Sequence, residues 1–145
     1  MSIFMNFTGN SFPGGSYQIE ILDFSFGVAN TGTASSGGGG SGKVKFNEFS
    51  FVRTSDKASP LFFKFCCSGV FLPAVQLTLD TAGAATPYLQ ITLKTVLITS
   101  FQTSSGGDTP TESLTLEYEE IEYETLDANG DVEYEAQFDA TWGQT

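Results

Sequence analysis

Residues 112–124 read ESLTLEYEEIEYE, a segment in which apolar and polar residues alternate. Alternation with a period of two is typical of a β-strand that buries one face. It breaks where Glu119 and Glu120 stand together between Tyr118 and Ile121. Strict alternation would turn the second half of the strand inside out, whereas one extra residue, a β-bulge, restores the buried face. The segment therefore predicts a bent strand, as found in small barrels and tightly curled sandwiches.

A second segment shows the same irregularity. Phe46 and Phe49 are separated by the pair Asn47 and Glu48, which predicts another bulged strand over residues 44–51. Further segments with period-two alternation, typical of strands, are residues 17–21, 22–26, 75–79, 88–101 and 132–142.

One helix and one hairpin turn complete the predicted elements. Ser59 is a favourable N-cap, Pro60 suits the first helical position and Gly69 suits the end, so the helix should run from about Pro60 to Ser68. The turn DANGD, residues 127–131, contains the Asn-Gly pair that type I′ hairpin turns favour.

The size and composition of the chain fit one globular domain. It has 145 residues, of which 40% are hydrophobic and 14 are phenylalanine, enough for a continuous core. We therefore expect a single all-β domain over residues 1–145. It should be a compact β-barrel of two curled antiparallel sheets, with one short α-helix and a long glycine-rich loop.

The charge balance restricts the partners. With 17 acidic and six basic residues the net charge is −11, which disfavours nucleic acids and anionic membrane surfaces. We expect no membrane insertion, because no run of 18 apolar residues occurs. The N-terminal MSIFMNFTGN has neither a basic nor an apolar signal region. The expectation is a protein made in the cytoplasm that leaves the cell, if it does, by a route that reads no signal peptide.

The residue types argue against catalysis and against a cofactor. The chain contains no histidine, which removes histidine-based triads, Cys–His dyads and the commonest transition-metal ligand. Its two cysteines, Cys66 and Cys67, are adjacent and are interpreted as small residues packed inside the helix. Asp127, Asn129 and Asp131 have the spacing of a calcium loop, but position twelve lacks the required glutamate and a plain turn explains them.

A dense acidic run invites comparison with paired catalytic carboxylates. It consists of Glu117, Glu119, Glu120, Glu122 and Glu124. General acid–base chemistry needs environments that separate the pKa values of two carboxyls. Exposed positions on a strand do not provide such environments, so we interpret the run as a solvated or partner-facing stripe that discourages edge-to-edge association.

Residues 31–43, TGTASSGGGGSGK, form the long loop. Its glycines and final Lys43 resemble a phosphate-binding loop, but Val44 stands where a magnesium-binding Ser or Thr is needed. The loop has no apolar anchor larger than alanine, and ordering each residue costs about 1–2 kcal/mol. It is therefore either mobile or clamped by another molecule, of which a neighbouring copy is the simplest.

The segments taken in order resemble a known family. They are FSFG (24–27), GGGGSGKV (37–44), FNEFSFVRTSDKASP (46–60), CCSGVFLPAVQLTL (66–79), YLQITLKTVLITSF (88–101) and ESLTLEYEEIEYE (112–124). Together they resemble the haemolysin-coregulated protein (Hcp) family, the inner-tube subunit of bacterial type VI secretion systems. The likeness runs from about Ile19 to Tyr123.

The resemblance implies six subunits per ring and rings stacked into a hollow tube. A contractile sheath expels the tube, which can carry effectors in its lumen, so the expected partners are further copies of the chain and sheath, spike and effector proteins. Ser25, and by alternation Asp23, would face the lumen. The loop residues implied to reach a neighbouring subunit are Thr31, Ser35, Ser36, Gly37, Gly38, Gly39, Gly40, Ser41, Gly42 and Lys43.

Two alternatives remain open at this point. The chain could be a non-enzymatic β-barrel binding module that grips a basic partner with its loop and acidic stripe. It could also be the tube subunit of another contractile or filamentous machine. Self-association into a closed ring separates a tube subunit from a monomeric binding module.

Overall fold

The computed structural model describes residues 2–9, 12–30, 44–81 and 86–140. The described strands are β1 (Ser2–Thr8), β2 (Ser16–Ile21), β3 (Asp23–Ser25), β4 (Val28–Asn30), β5 (Val44–Phe46), β6 (Phe49–Thr54), β7 (Phe71–Asp80), β8 (Leu89–Ser104), β9 (Thr111–Leu126) and β10 (Val132–Asp139). The described α-helix is α1 (Ser59–Ser68), and a short 3-10 turn spans Pro13–Gly15.

Eight of these strands form one antiparallel sheet. Their order is β2-β1-β7-β8-β9-β6-β3, with β10 paired to the second half of β9, and β4 and β5 form a separate two-stranded ribbon. The two ends of the large sheet meet at Leu22, between β2 and β3, whose N–H donates to the carbonyl of Val52 at 2.8 Å. This contact curls the sheet back on itself, and the predicted all-β barrel with one helix is confirmed.

The core lies inside the curled sheet and under α1. Phe62, on the buried face of α1, has its ring centroid 5.0 Å from that of Phe7 and 6.3 Å from that of Phe12. The helix starts one residue earlier than predicted. Ser59 is the first helical residue, and Ala58 is the N-cap. The Ser59 hydroxyl donates to Glu112 at 2.7 Å. Its predicted end is confirmed.

The predicted strand over residues 44–51 is wrong. Two separate strands, β5 and β6, occupy this range and belong to different sheets. The strand is interrupted at Asn47. The N–H of Asn47 donates to the carbonyl of Gly27 at 2.9 Å, and its carbonyl accepts a hydrogen bond from the Tyr118 hydroxyl at 3.1 Å. The pair Asn47–Glu48 therefore carries the chain from the ribbon into the barrel instead of inserting an extra residue into one strand.

The face change predicted in β9 is present, but the bulge is elsewhere. Tyr118 and Ile121 are both buried and the two glutamates between them are exposed. Opposite them on β8, Thr95 has a φ of +53°, so both strands change face at the same level without a shift in register. The register shift between β8 and β9 falls at Thr99.

The β9–β10 turn also differs from the prediction. A type I′ turn needs positive φ at both central residues, and Asn129 does not have it. Instead, the Asp127 carboxylate accepts the N–H groups of Asn129 at 2.9 Å and Asp131 at 3.0 Å, and Gly130 alone takes a positive φ of +88°. An aspartate side chain that bonds the backbone two residues on fixes the turn in place of the Asn-Gly pair.

Candidate functional site

The outer face of β3, β6, β9 and β8 is a continuous surface of small polar side chains. The register aligns Ser25, Ser50, Thr115 and Ser100 in one row across the four strands. We call this surface the small-polar face. Its members are ten polar residues and one valine: Asp23, Ser25, Ser50, Val52, Thr54, Ser100, Gln102, Ser104, Thr111, Ser113 and Thr115.

The alternation of β3 explains why Ser25 belongs to this face. Phe24 and Phe26, on either side of it, each stack on the buried ring of Phe49 at a centroid distance of 5.7 Å. Successive side chains of a strand point to opposite faces. Two inward phenylalanines therefore place Ser25 outward, and Asp23 shares its side of the sheet and is also exposed.

The small-polar face differs electrostatically from the rest of the chain. Although the net charge is −11, Asp23 is the one charged residue among these eleven; the next carboxylates are Glu117, one step further along the same face of β9, and Glu48, which accepts a hydrogen bond from Thr99. The hydroxyls also bond to one another: Thr115 lies 2.7 Å from the hydroxyl oxygens of both Thr99 and Ser100. Hydroxyls that satisfy each other leave few free donors or acceptors, so these eleven residues offer few strong ligand-binding groups.

Both lateral edges of this face are open within the described residues. At one side β3 is the last strand of the sheet order. At the other, the pairing of β7 with β8 ends at Leu97, so residues 98–104 of β8 pair with β9 alone. A strand edge with free backbone groups is a template for pairing with another chain. The arrangement is suited to lateral association of copies.

The predicted interface loop, residues 31–43, lies outside the described residues, and so do all ten loop residues named above. The structure does describe the ribbon of β4 and β5 that carries it. Phe46 holds this ribbon against the barrel, with its ring 5.4 Å from Phe138 and 6.2 Å from Tyr118. Phe26 adds a contact with Tyr123 at 5.7 Å. The base of the loop is therefore anchored on β9 and β10 by aromatic contacts.

The acidic run on β9 is not uniformly exposed. Glu117, Glu119 and Glu120 face solvent, but Glu124 is buried and accepts a hydrogen bond from the Gln90 amide at 3.1 Å. The expectation of five exposed carboxylates is thus wrong for Glu124, which is covered on the outer face where it lies directly opposite Gln90 in the β8–β9 register.

Glu122 in the same run forms an ion pair. Its carboxylate lies 2.9 Å from the Lys94 ammonium, and the hydrogen bond and charge of Glu122 raise the pKa of that lysine, with a further contribution from Glu120. The pair is diagonal across the β8–β9 register, since the residue directly opposite Lys94 is Glu120, two residues before Glu122. This part of the stripe is engaged within the chain rather than free for a partner.

Sequence reasoning missed a buried ion pair. Arg53 on β6 and Glu112 on β9 are each 1% exposed, are directly paired in the register, and form an ion pair. The guanidinium also contacts the Asp56 carboxylate at 2.5 Å and lies over the Phe62 ring, 5.2 Å from its centroid. The signal was present, because the inward alternation of Phe49 and Phe51 continues to Arg53.

The pKa of Asp56 reflects this network. Burial acts to raise it, but the hydrogen bonds from Arg53 and the Ala58 N–H, together with the charges of Arg53 and Lys57, hold the pKa of this carboxyl below its usual value. Asp56 therefore stays ionised beside Arg53 and supports the start of α1, since the Ala58 N–H donates to it at 2.8 Å.

The remaining candidates carry little chemistry. Cys66 is half-buried and Cys67 is exposed, so the packing expected for both holds only in part; neither forms a disulfide. Among the described residues, no group of three or more His, Cys, Asp or Glu side chains is placed to hold a metal ion. No helix in the described part of the chain is long and apolar enough to cross a membrane.

Comparison with known proteins gives consistent matches. A family model described as "Type VI secretion system effector, Hcp" matches residues 4–124. The curated protein hcp1 of Pseudomonas aeruginosa is 38% identical over 94 residues, which cover 61% of this chain and 58% of that protein. The alignment thus spans less than two thirds of this relative's length.

Solved structures share the fold. Hcp1 from Salmonella typhimurium superimposes with a TM-score of 0.77 at 24% identity, covering 98% of this chain and 96% of that one. A type VI secretion system effector from Yersinia pestis gives a TM-score of 0.74 at 21% identity, covering 94% of this chain and 98% of that one. Structures this distant in sequence establish the barrel architecture over nearly the whole chain.

Proposed function

This chain belongs to the Hcp family, known as the tube subunit of type VI secretion systems, and we propose that it forms hexameric rings that stack into a hollow tube. Hcp is a family of structural, secreted proteins and not a family of enzymes. For this chain we likewise propose a structural role without catalysis.

The observation that carries the proposal is the small-polar face with its two open edges. Copies placed side by side, edge to edge, would join their faces into one continuous surface around a bore. Asp23 and Ser25 would then face the lumen, in a lining where Asp23 is the one charged residue among the eleven of the small-polar face. A lining of small side chains leaves the bore wide, and its low charge avoids holding charged cargo too tightly to be released.

The partners and location follow from the same proposal. We infer that the chain is made in the cytoplasm, assembles there with further copies, and is secreted as a tube by the contractile sheath. Sheath, spike and effector proteins would be its other partners, with effectors in the lumen. The net charge of −11 disfavours nucleic acid in the bore or on the outside.

Electron microscopy of the purified, untagged protein tests this proposal. We expect closed six-fold rings, alone or stacked, and a reconstruction in which the strands bearing Asp23 and Ser25 line the central hole. Monomers alone at high concentration would contradict the tube subunit and favour a monomeric binding module. If the rings form but another face lines the bore, the ring assembly stands and the assignment of the lumen is wrong.

The role of the glycine-rich loop has its own test. If residues 31–43 clamp a neighbouring subunit, deleting Gly37–Gly40 should abolish rings or tubes while the circular dichroism spectrum and the unfolding midpoint of the monomer stay unchanged. The reason is that a segment without large apolar side chains contributes little to the stability of its own domain. Intact assemblies in the deletion variant would remove the clamp from the proposed function.

A further inference from the structure

An apolar side chain is exposed beside the β3 edge of the small-polar face. Leu22, where the chain passes from β2 to β3, is 59% exposed although its neighbour Ile21 is buried. Two exposed carboxylates flank it in sequence, Glu20 and Asp23. Leu22 is held in place by its backbone hydrogen bond to Val52, so it is a fixed feature of this edge.

A second apolar site lies beside the β8 edge. Phe63 on α1 is 56% exposed and meets the half-buried ring of Phe101 edge-on, at 5.9 Å and 76°. Phe101 belongs to the segment of β8 that pairs on one side only. Lys64, the next residue of α1, is also exposed, and so is Lys57 just before the helix.

These two sites are both apolar, and the charges beside them are opposite in sign. One presents an aliphatic side chain near the carboxylates of Glu20 and Asp23, and the other presents a pair of phenyl rings near the exposed Lys64. The chain has only six lysines and arginines, so Lys64, next to Phe63 in the helix, distinguishes that surface from the acidic remainder, whereas the charge of Lys57 acts on the neighbouring Asp56. Two different surfaces that fit each other make a heterologous contact, which closes into a ring when the rotation allows.

We propose that adjacent subunits join by packing Leu22 of one copy on Phe63 and Phe101 of the next, with Glu20 facing Lys64 across the junction. The proposal rests on the ring assembly proposed above and specifies its lateral contact. The partner is a second copy of this chain, identified by the matched apolar and charged groups at opposite edges of one face. Opposed charges at the rim would fix the direction of assembly.

A charge exchange tests the junction. Glu20→Lys and Lys64→Glu each place like charges across every junction, and each should raise the concentration needed for ring formation about tenfold or more. The double variant Glu20→Lys/Lys64→Glu should return it close to the wild-type value, because every junction again pairs opposite charges. The measurement is the ring fraction against protein concentration, by mass photometry or sedimentation velocity.

A matched pair of aromatic substitutions tests the apolar part. Phe63→Ser should weaken ring formation, whereas Phe71→Ser should not, although Phe71 is equally exposed at 59% on a different element. Circular dichroism checks that both variants fold. Rings that tolerate Phe63→Ser and Lys64→Glu would overturn this junction while leaving the tube subunit intact. A wild-type protein that forms no rings would overturn both.

Discussion

Replacing Glu112 by alanine is expected to lower the free energy of unfolding by about 3–5 kcal/mol. The substitution leaves the guanidinium of Arg53 buried at 1% exposure without its principal counter-charge. Asp56, whose side chain is 42% exposed, keeps one contact with Arg53 but cannot replace a buried carboxylate. The hydroxyl of Ser59 loses its acceptor as well, which loosens the start of α1. Urea unfolding followed by circular dichroism measures the loss.

Two further variants separate burial of charge from truncation of a side chain. Glu117→Ala removes an exposed carboxylate from the same strand and should change stability by less than about 0.5 kcal/mol. The double variant Arg53→Met/Glu112→Leu removes both charges and should recover most of the stability lost in Glu112→Ala. If Glu112→Ala were as mild as Glu117→Ala, the pair would not be buried as described.

The second large effect is expected from Phe62. Replacing it by alanine should cost about 3–5 kcal/mol, because the ring is fully buried and a cavity would remain. Its ring contacts Phe7, Phe12 and Tyr17, which belong to the N-terminal part of the barrel. It also lies beneath the guanidinium of Arg53, so the substitution removes one wall of the ion pair.

The neighbouring Phe63 provides the control for this prediction. The two residues are adjacent in sequence and identical in type, but Phe63 is 56% exposed. Phe63→Ala should therefore shift the unfolding midpoint of the monomer only slightly. Equal losses from the two substitutions would mean that α1 does not bury the face on which Phe62 lies.

The sequence predicted the fold where one physical rule dominated. Period-two alternation identified the strands that form the barrel, and Gly69, with its φ of +67°, identified the end of the helix. The same rule, carried two residues past Phe51, would have placed Arg53 in the core. A charged residue normally lies at the surface, and only its partner 59 positions away makes the burial of Arg53 tolerable.

Other features depend on contacts that a local pattern does not contain. A two-residue interruption looks the same in sequence whether it is a strand break, as at Asn47, or a concerted face change, as at Glu119. The outcome is set by the facing strand, where Thr95 adopts a left-handed conformation. The turn after β9 was misassigned because the Asp127 side chain, and not the Asn-Gly pair, controls its backbone.

The positions of its four strands along the chain also determine when the small-polar face can form during synthesis. Two of its strands, β3 and β6, come from residues 23–54, and the other two, β8 and β9, from residues 89–126. Neither half of the chain contains the surface, so it cannot exist until the later strands have emerged from the ribosome and paired with the earlier ones. A nascent chain therefore carries no finished template on which neighbouring copies could polymerise, and the topology itself delays assembly until β8 and β9 have been synthesised.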